Sequence, residues 1–198
     1  MPSSLGHVLG GAAVAWTADL VPGRRAWRTA RAPASWYRRA GNGLTLICAT
    51  LGAIPDADLV FRIHRTYSHS IGAVIFVGLF AAAMAAYARR PIVRVGLMCA
   101  GAYGSHLVLD WMGADATPPY GIQALWPFTD AWYISGWDVF RQTDRLHLLT
   151  REGIVGNLLA LAQEIAILLP IAALVWAVRK RMLKLSTTED TEDTEEES

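Results

Sequence analysis

Apolar residues fall in five runs along the chain, and run length decides what each can do. Residues 70–88 carry no charge over nineteen positions, matching the roughly 20 residues with which a helix crosses a hydrocarbon core of about 30 Å. Residues 153–178 form a second long run, interrupted only by Glu164 and Pro170. Residues 5–18, 40–55 and 95–109 are uncharged for fourteen, sixteen and fifteen positions. These shorter runs can span only where protein or water shelters their polar ends. The pattern predicts an all-α fold: a polytopic membrane helical bundle with about five membrane segments.

Arginine and lysine orient that bundle, because short cytoplasmic loops collect them next to helix ends. Thirteen of the eighteen bases fall between runs one and two, between runs three and four, or after run five. Only Arg62, Arg65, Arg141, Arg145 and Arg151 fall on the other side. The N-terminus is therefore expected outside and the C-terminus in the cytoplasm. No charged n-region precedes the first run, so no secretory signal peptide is visible.

Composition agrees: 53% of residues are hydrophobic and 18% charged, against about 25% charged in soluble domains. The 198 residues suit one domain and leave no room for a separate catalytic module. The net charge of +1 hides an asymmetry, because seven of seventeen acids crowd into the last ten residues. Without them the body has ten acids against eighteen bases, a charge of +8. Residues 1–184 read as a single membrane-embedded domain, and residues 185–198 as an acidic tail too polar to offset its ordering entropy, hence disordered. Cys48 and Cys99 lie inside apolar runs without partners at metal-ligand spacing and read as packing residues. No nucleic-acid partner is expected.

Projected onto this topology, His7, Asp56, Asp58, His64, His69, His106 and Asp110 all land on one side, the extracytoplasmic one. Core histidines satisfied locally have no reason to gather at the ends of four segments, so a shared site is expected. His106-xxx-Asp110 places an imidazole and a carboxylate one helical turn apart on one face, a donor pair suited to zinc and related ions or to a simple ion pair. Asp56 and Asp58 close an apolar run, where uncompensated carboxylates are costly; they read as metal ligands or as a solvated helix end. In His64-Arg65-Thr66-Tyr67-Ser68-His69-Ser70, Arg65 and a following helix N-terminus favour an anion such as phosphate, or form an interfacial turn. His7 alone is weak and gains meaning only from its side. His147 and Glu152 read as a solvated helix start. Asp19 is expected to pair with Arg24 or Arg25, and Glu164 to be either a buried hydrogen-bonding partner or a functional acid. The aromatic residues between 112 and 150 read as an interfacial belt or a substrate-guiding wall.

The order Gly6-His7, Pro55-Asp56-Ala57-Asp58, His64-Arg65 through His69-Ser70, His106-xxx-Asp110 and Tyr120 through Phe128 resembles the YdjM-like family of bacterial inner-membrane, predicted metal-dependent hydrolases. The resemblance covers about residues 5–140. More distantly, the order of histidines and aspartates is similar to the zinc-dependent phospholipase C and single-strand nuclease superfamily. That resemblance implies His7, Asp56, His69, His106 and Asp110 as metal ligands. The chain lacks the His-xxx-Glu pair of a three-metal cluster, so one or two ions are implied.

These readings converge on an integral-membrane metal-dependent hydrolase, expected to cleave a phosphoester of a lipid-like substrate at the outer membrane surface. The cofactor is a divalent metal, zinc or manganese. Arg65 would clamp the phosphate, and His64 or Asp58 would move the proton. The rivals are a transporter, or a scaffold with a structural metal site.

Overall fold

The computed structural model describes residues 2–20, 41–61, 64–144 and 147–196. Its elements are α1 (Ser4–Ala18), α2 (Gly43–Ala53) continuing as a 3-10 helix (Ile54–Phe61), a 3-10 turn (Tyr67–His69), α3 (Ile71–Tyr87), α4 (Ile92–Trp111) and α5 (Arg151–Glu196). Among the described residues there is no strand, only two isolated bridges in the long segment between α4 and α5.

Local chemistry sets the helix ends. Ser3 caps α1 by accepting from the Gly6 amide, and Ser70 caps α3 by accepting from that of Ala73. Asn42 and Thr45 form a reciprocal capping box at α2. Pro55 has no N–H for the next α-helical bond, and the backbone tightens into the 3-10 helix there. That helix carries Asp56 and Asp58.

Helix α1 is the hub, packed against α2, α4 and α5, while α4 also contacts α2 and α3. The α1–α2 crossing depends on two glycines. A Cβ on Gly11 would strike the Cys48 carbonyl, and one on Gly52 the carbonyl of His7. Small residues at a membrane-helix crossing let backbones approach this closely, and here the approach brings His7 beside α2.

The helices long and apolar enough to cross a membrane are Gly43–Val60, Ile92–Trp111 and Arg151–Arg181, with Ile71–Tyr87 a shorter apolar helix. This reorders the expectation from uncharged runs. Residues 70–88 lose length because Ser70 is a cap and the helix stops at Tyr87. Two weaker runs gain length because their helices continue through charged positions, Asp56 and Asp58 in one and Arg94 and Asp110 in the other.

At the end of α1 remote from His7, Asp19 joins three helices. Arg94 Nη2 donates to its Oδ1 over 2.8 Å and Arg179 Nε to its Oδ2 over 2.7 Å. These are not the partners expected; Arg24 and Arg25 lie outside the described residues, as do Arg62 and Arg145. Cys48 and Cys99, read as packing residues, are both buried, Cys48 in a cluster with Ala15, Met98 and Ala102. The backbone of α5 is helical to Glu196. Extending a helix already formed needs no new nucleus.

Candidate metal centre

All seven polar residues projected to one side come together. His7 comes from the first turns of α1, Asp56 and Asp58 from the 3-10 helix, His64 and His69 from the loop before α3, and His106 and Asp110 from the last turns of α4. His7, His69, His106, Asp56, Asp58 and Asp110 are buried, and His64 is half-buried.

Four donor atoms converge. His106 Nε2 lies 3.0 Å from His69 Nε2, and Asp110 Oδ2 lies 3.3 Å from the former and 3.4 Å from the latter. Asp56 Oδ1 stands 3.8 Å from His106 Nε2 and 4.0 Å from His69 Nε2. Metal bonds of about 2.0–2.2 Å give neighbouring donors separations of roughly 2.9–3.5 Å, longer for wide angles. The separations among His69, His106 and Asp110 suit donors that share one ion, with Asp56 Oδ1 just beyond that range.

Tautomers point the same way. His106 Nδ1 lies 2.7 Å from the Gly52 carbonyl, which can only accept, so its proton sits there and Nε2 carries a lone pair. His69 Nδ1 lies 3.1 Å from Asp58 Oδ2, also an acceptor, which turns the Nε2 lone pair inward. Burial pushes the His69 pKa below its ordinary 6.5, although Asp58 and Asp110 pull it up. It is neutral at pH 7. Two facing lone pairs 3.0 Å apart repel unless a proton or cation lies between them.

Asp110 adds an independent sign. Among the described residues, neither of its carboxylate oxygens nor either ring nitrogen of His7 has a partner in hydrogen-bonding geometry. His7 Nε2 and Asp110 Oδ1 are 3.3 Å apart, close enough to attract but outside hydrogen-bonding geometry. A buried carboxylate without donors costs several kcal/mol unless a cation compensates it. His7 also stacks on His106 at 3.6 Å between ring centroids. By proximity the donors form two groups, His7 with His106 and Asp110, and Asp56 with His64 and His69. The contacts among His69, His106 and Asp110 join the two.

Asp58 organises rather than converges. It accepts from Ser68 Oγ and from the Arg65 amide at 3.3 Å, faces His69 Nδ1, and holds His64 Nδ1 at 2.7 Å. Arg65 sits in the left-handed region, with φ of 69°, a strain of order 1 kcal/mol for a side-chain-bearing residue. Its backbone carbonyl accepts from the Gln123 amide, and its guanidinium pairs with Asp115, donates to the Thr117 carbonyl and lies over Trp132. The expected phosphate clamp is thus engaged as a strut between the histidine loop and the segment after α4. That segment also caps α3, the Ala124 and Trp126 carbonyls accepting from the amides of Ile71 and Gly72.

Two residues position the cluster: Glu164, expected as a buried hydrogen-bonding partner or a functional acid, takes the first of these roles, and Asp115 had no role from the sequence. Glu164, buried in α5, accepts from the Ser3 amide at 2.7 Å and from Ser3 Oγ at 2.5 Å. A carboxylate at a helix N-terminus is favoured by the dipole, and a Cβ at Gly6 would stand only 2.9 Å from Oε2. Glu164 thereby fixes the turn that presents His7. Asp115 is the other, through Arg65. Neither partnership has a short-range sequence signal. His147 pairs with Asp144 on the surface and, with Glu152, takes no part in the cluster.

The family model for the YdjM inner membrane protein matches residues 1–184. No curated protein and no solved structure matches the chain. The wider likeness to the phospholipase C superfamily rests on motif order alone.

Proposed function

The chain belongs to the YdjM inner membrane protein family, and from that premise we propose an integral-membrane, metal-dependent hydrolase acting on a phosphoester of a lipid-like substrate. The observation that carries the reading is the convergence of His69 Nε2, His106 Nε2, Asp110 Oδ2 and Asp56 Oδ1, with Asp110 meeting no donor in hydrogen-bonding geometry among the described residues. Nitrogen and carboxylate donors suit zinc, with manganese as the alternative. A bound divalent ion supplies Lewis acidity, lowering the pKa of bound water to about 7 and polarising a phosphoryl oxygen.

The chain's own residues do the rest. Gly52 and Asp58 hold the Nδ1 protons of His106 and His69, which keeps both Nε2 atoms available as donors. His7 closes the cluster beside Asp110. Asp58 orients His64, the half-buried member, as the group that takes a proton from the attacking water and returns it to the leaving alkoxide. Water adds to phosphorus, the ester P–O bond breaks, and the alcohol leaves protonated. The arginine distribution supports the extracytoplasmic end of the bundle as the site's side.

The test is turnover of long-chain phospholipids in mixed detergent micelles by zinc-loaded protein, with bis-p-nitrophenyl phosphate as a water-soluble reference beside them. His64→Ala is expected to lower kcat at least 100-fold while leaving bound zinc unchanged. Absence of turnover in the zinc-loaded wild type over the whole panel overturns the phosphoesterase reading and favours a structural metal site.

A further inference from the structure

The depth of the donor cluster follows from its distance to the charged layer at the opposite end of the bundle. There Asp19, Arg94 and Arg179 join α1, α4 and α5, with Arg89, Arg90 and Arg181 exposed nearby. At 1.5 Å per residue, Asp19 to His7 and Arg94 to His106 are each about 18 Å, and Arg94 to Asp110 about 24 Å. Along α5, Arg179 to Glu164 is about 22 Å. The three helices thus give about 18–24 Å, α5 through Glu164, which holds the turn that presents His7. A hydrocarbon core is about 30 Å thick, so the cluster falls roughly 6–12 Å short of the far boundary.

The surface at that level matches. Every segment that carries a donor turns an apolar residue outward beside it: Leu5 next to His7, Ile54 and Val60 flanking Asp56 and Asp58, Ile71 after His69, and Val108 between His106 and Asp110. Val60 is 81% exposed and Val108 53% exposed. A site at a water-facing rim needs no such collar. On α5 the same surface continues to Leu159, about 30 Å from Arg179 along the helix.

We propose that the donor cluster is sunk inside the hydrocarbon layer and that lipid acyl chains cover this collar. The collar runs on into the exposed apolar residues of α3, α4 and α5, of which α4 and α5 are long and apolar enough to cross a membrane. The cluster therefore lies below the membrane surface rather than at it. The consequence for substrate rests on the hydrolase reading: an amphiphile anchored in the bilayer arrives sideways, its ester drawn below the headgroup level, and water-soluble esters are poor substrates.

The test is nitroxide labelling of Val108→Cys and Val60→Cys, reconstituted in phosphatidylcholine vesicles, with Leu79→Cys as the lipid reference and Arg90→Cys as the boundary reference. Cys48 and Cys99 are buried and stay in place; labelling of the parent chain measures background. Power saturation is compared between oxygen, which concentrates in lipid, and a water-soluble nickel chelate. Labels at 108 and 60 are expected to match position 79, with high oxygen and low chelate accessibility. Chelate accessibility equal to that of position 90 overturns the proposal by placing the collar in water. Exclusion of both relaxants overturns it by showing protein, such as a second copy, on the collar. Neither readout needs bound metal, so failure of the hydrolase reading leaves the depth result standing.

Discussion

Replacing Asp110 with asparagine keeps the shape of the side chain and removes the charge that three imidazoles face. Its Oδ2 lies 3.3 and 3.4 Å from His106 and His69, and its Oδ1 lies 3.3 Å from His7. Disturbing groups that merely orient ligands lowers metal affinity about 10–100-fold, so losing a direct anionic donor should cost at least the upper figure. A 100-fold loss is about 2.7 kcal/mol of binding. For a ligand that binds only the folded state, that loss appears as stability, and at about 2–4 °C per kcal/mol it lowers the zinc-dependent rise in Tm by about 5–11 °C. The assay is thermal unfolding in detergent with saturating zinc and with chelator, for wild type and Asp110→Asn. Wild type should respond strongly to chelation and the variant little, with both fully helical at 20 °C. An equal response would refute Asp110 as a ligand and with it the single-ion reading of the four donors.

Two further predictions concern pH and position. Burial holds the His69 pKa below that of the unfolded chain, so as pH falls through about 6.5 the unfolded state takes up a proton that the folded state refuses. Metal-free protein should lose stability from about pH 6.5 down toward the lowered native value and lose no more from this group below it. Melts at pH 7.5 and 5.5, wild type against His69→Gln, check this, and a wild-type difference no larger than the variant's would contradict it. Glu164→Ala and Ser3→Ala should each cost about 1–3 kcal/mol and weaken zinc binding, because a buried hydrogen-bonding group loses its partner. Their double variant should be no worse than Glu164→Ala alone, and additive losses in a thermodynamic cycle would show that the two do not act through one contact.

The fold class was legible because long uncharged runs and one-sided arginines follow from the bilayer as solvent, independently of tertiary detail. The gathering of His7, Asp56, Asp58, His64, His69, His106 and Asp110 was legible for the same reason: five alternating segments place their ends on two levels. Ranking the spans was not. A count of uncharged residues misses that α4 carries Arg94 and Asp110 within its 20 residues, the first joined to Asp19 and the second facing three histidines. Partner choice was also out of reach. Glu164 and Ser3 are separated by 161 positions, and Arg65 and Asp115 by 50; those contacts depend on how α5 lies along α1 and how the segment after α4 folds back. Division of labour between adjacent acids was equally hidden. Asp56 and Asp58 are two residues apart, yet one turns an oxygen toward the donors while the other orients His64 and His69.

The central claim is that the four converging donors hold a divalent ion, and elemental analysis of the purified, detergent-solubilised protein beside a His106→Ala, Asp110→Ala double variant tests it most directly. About one equivalent of zinc or manganese is expected in the wild type and none above background in the folded variant. A folded wild type that carries no such ion and takes up none when zinc or manganese is added would contradict it.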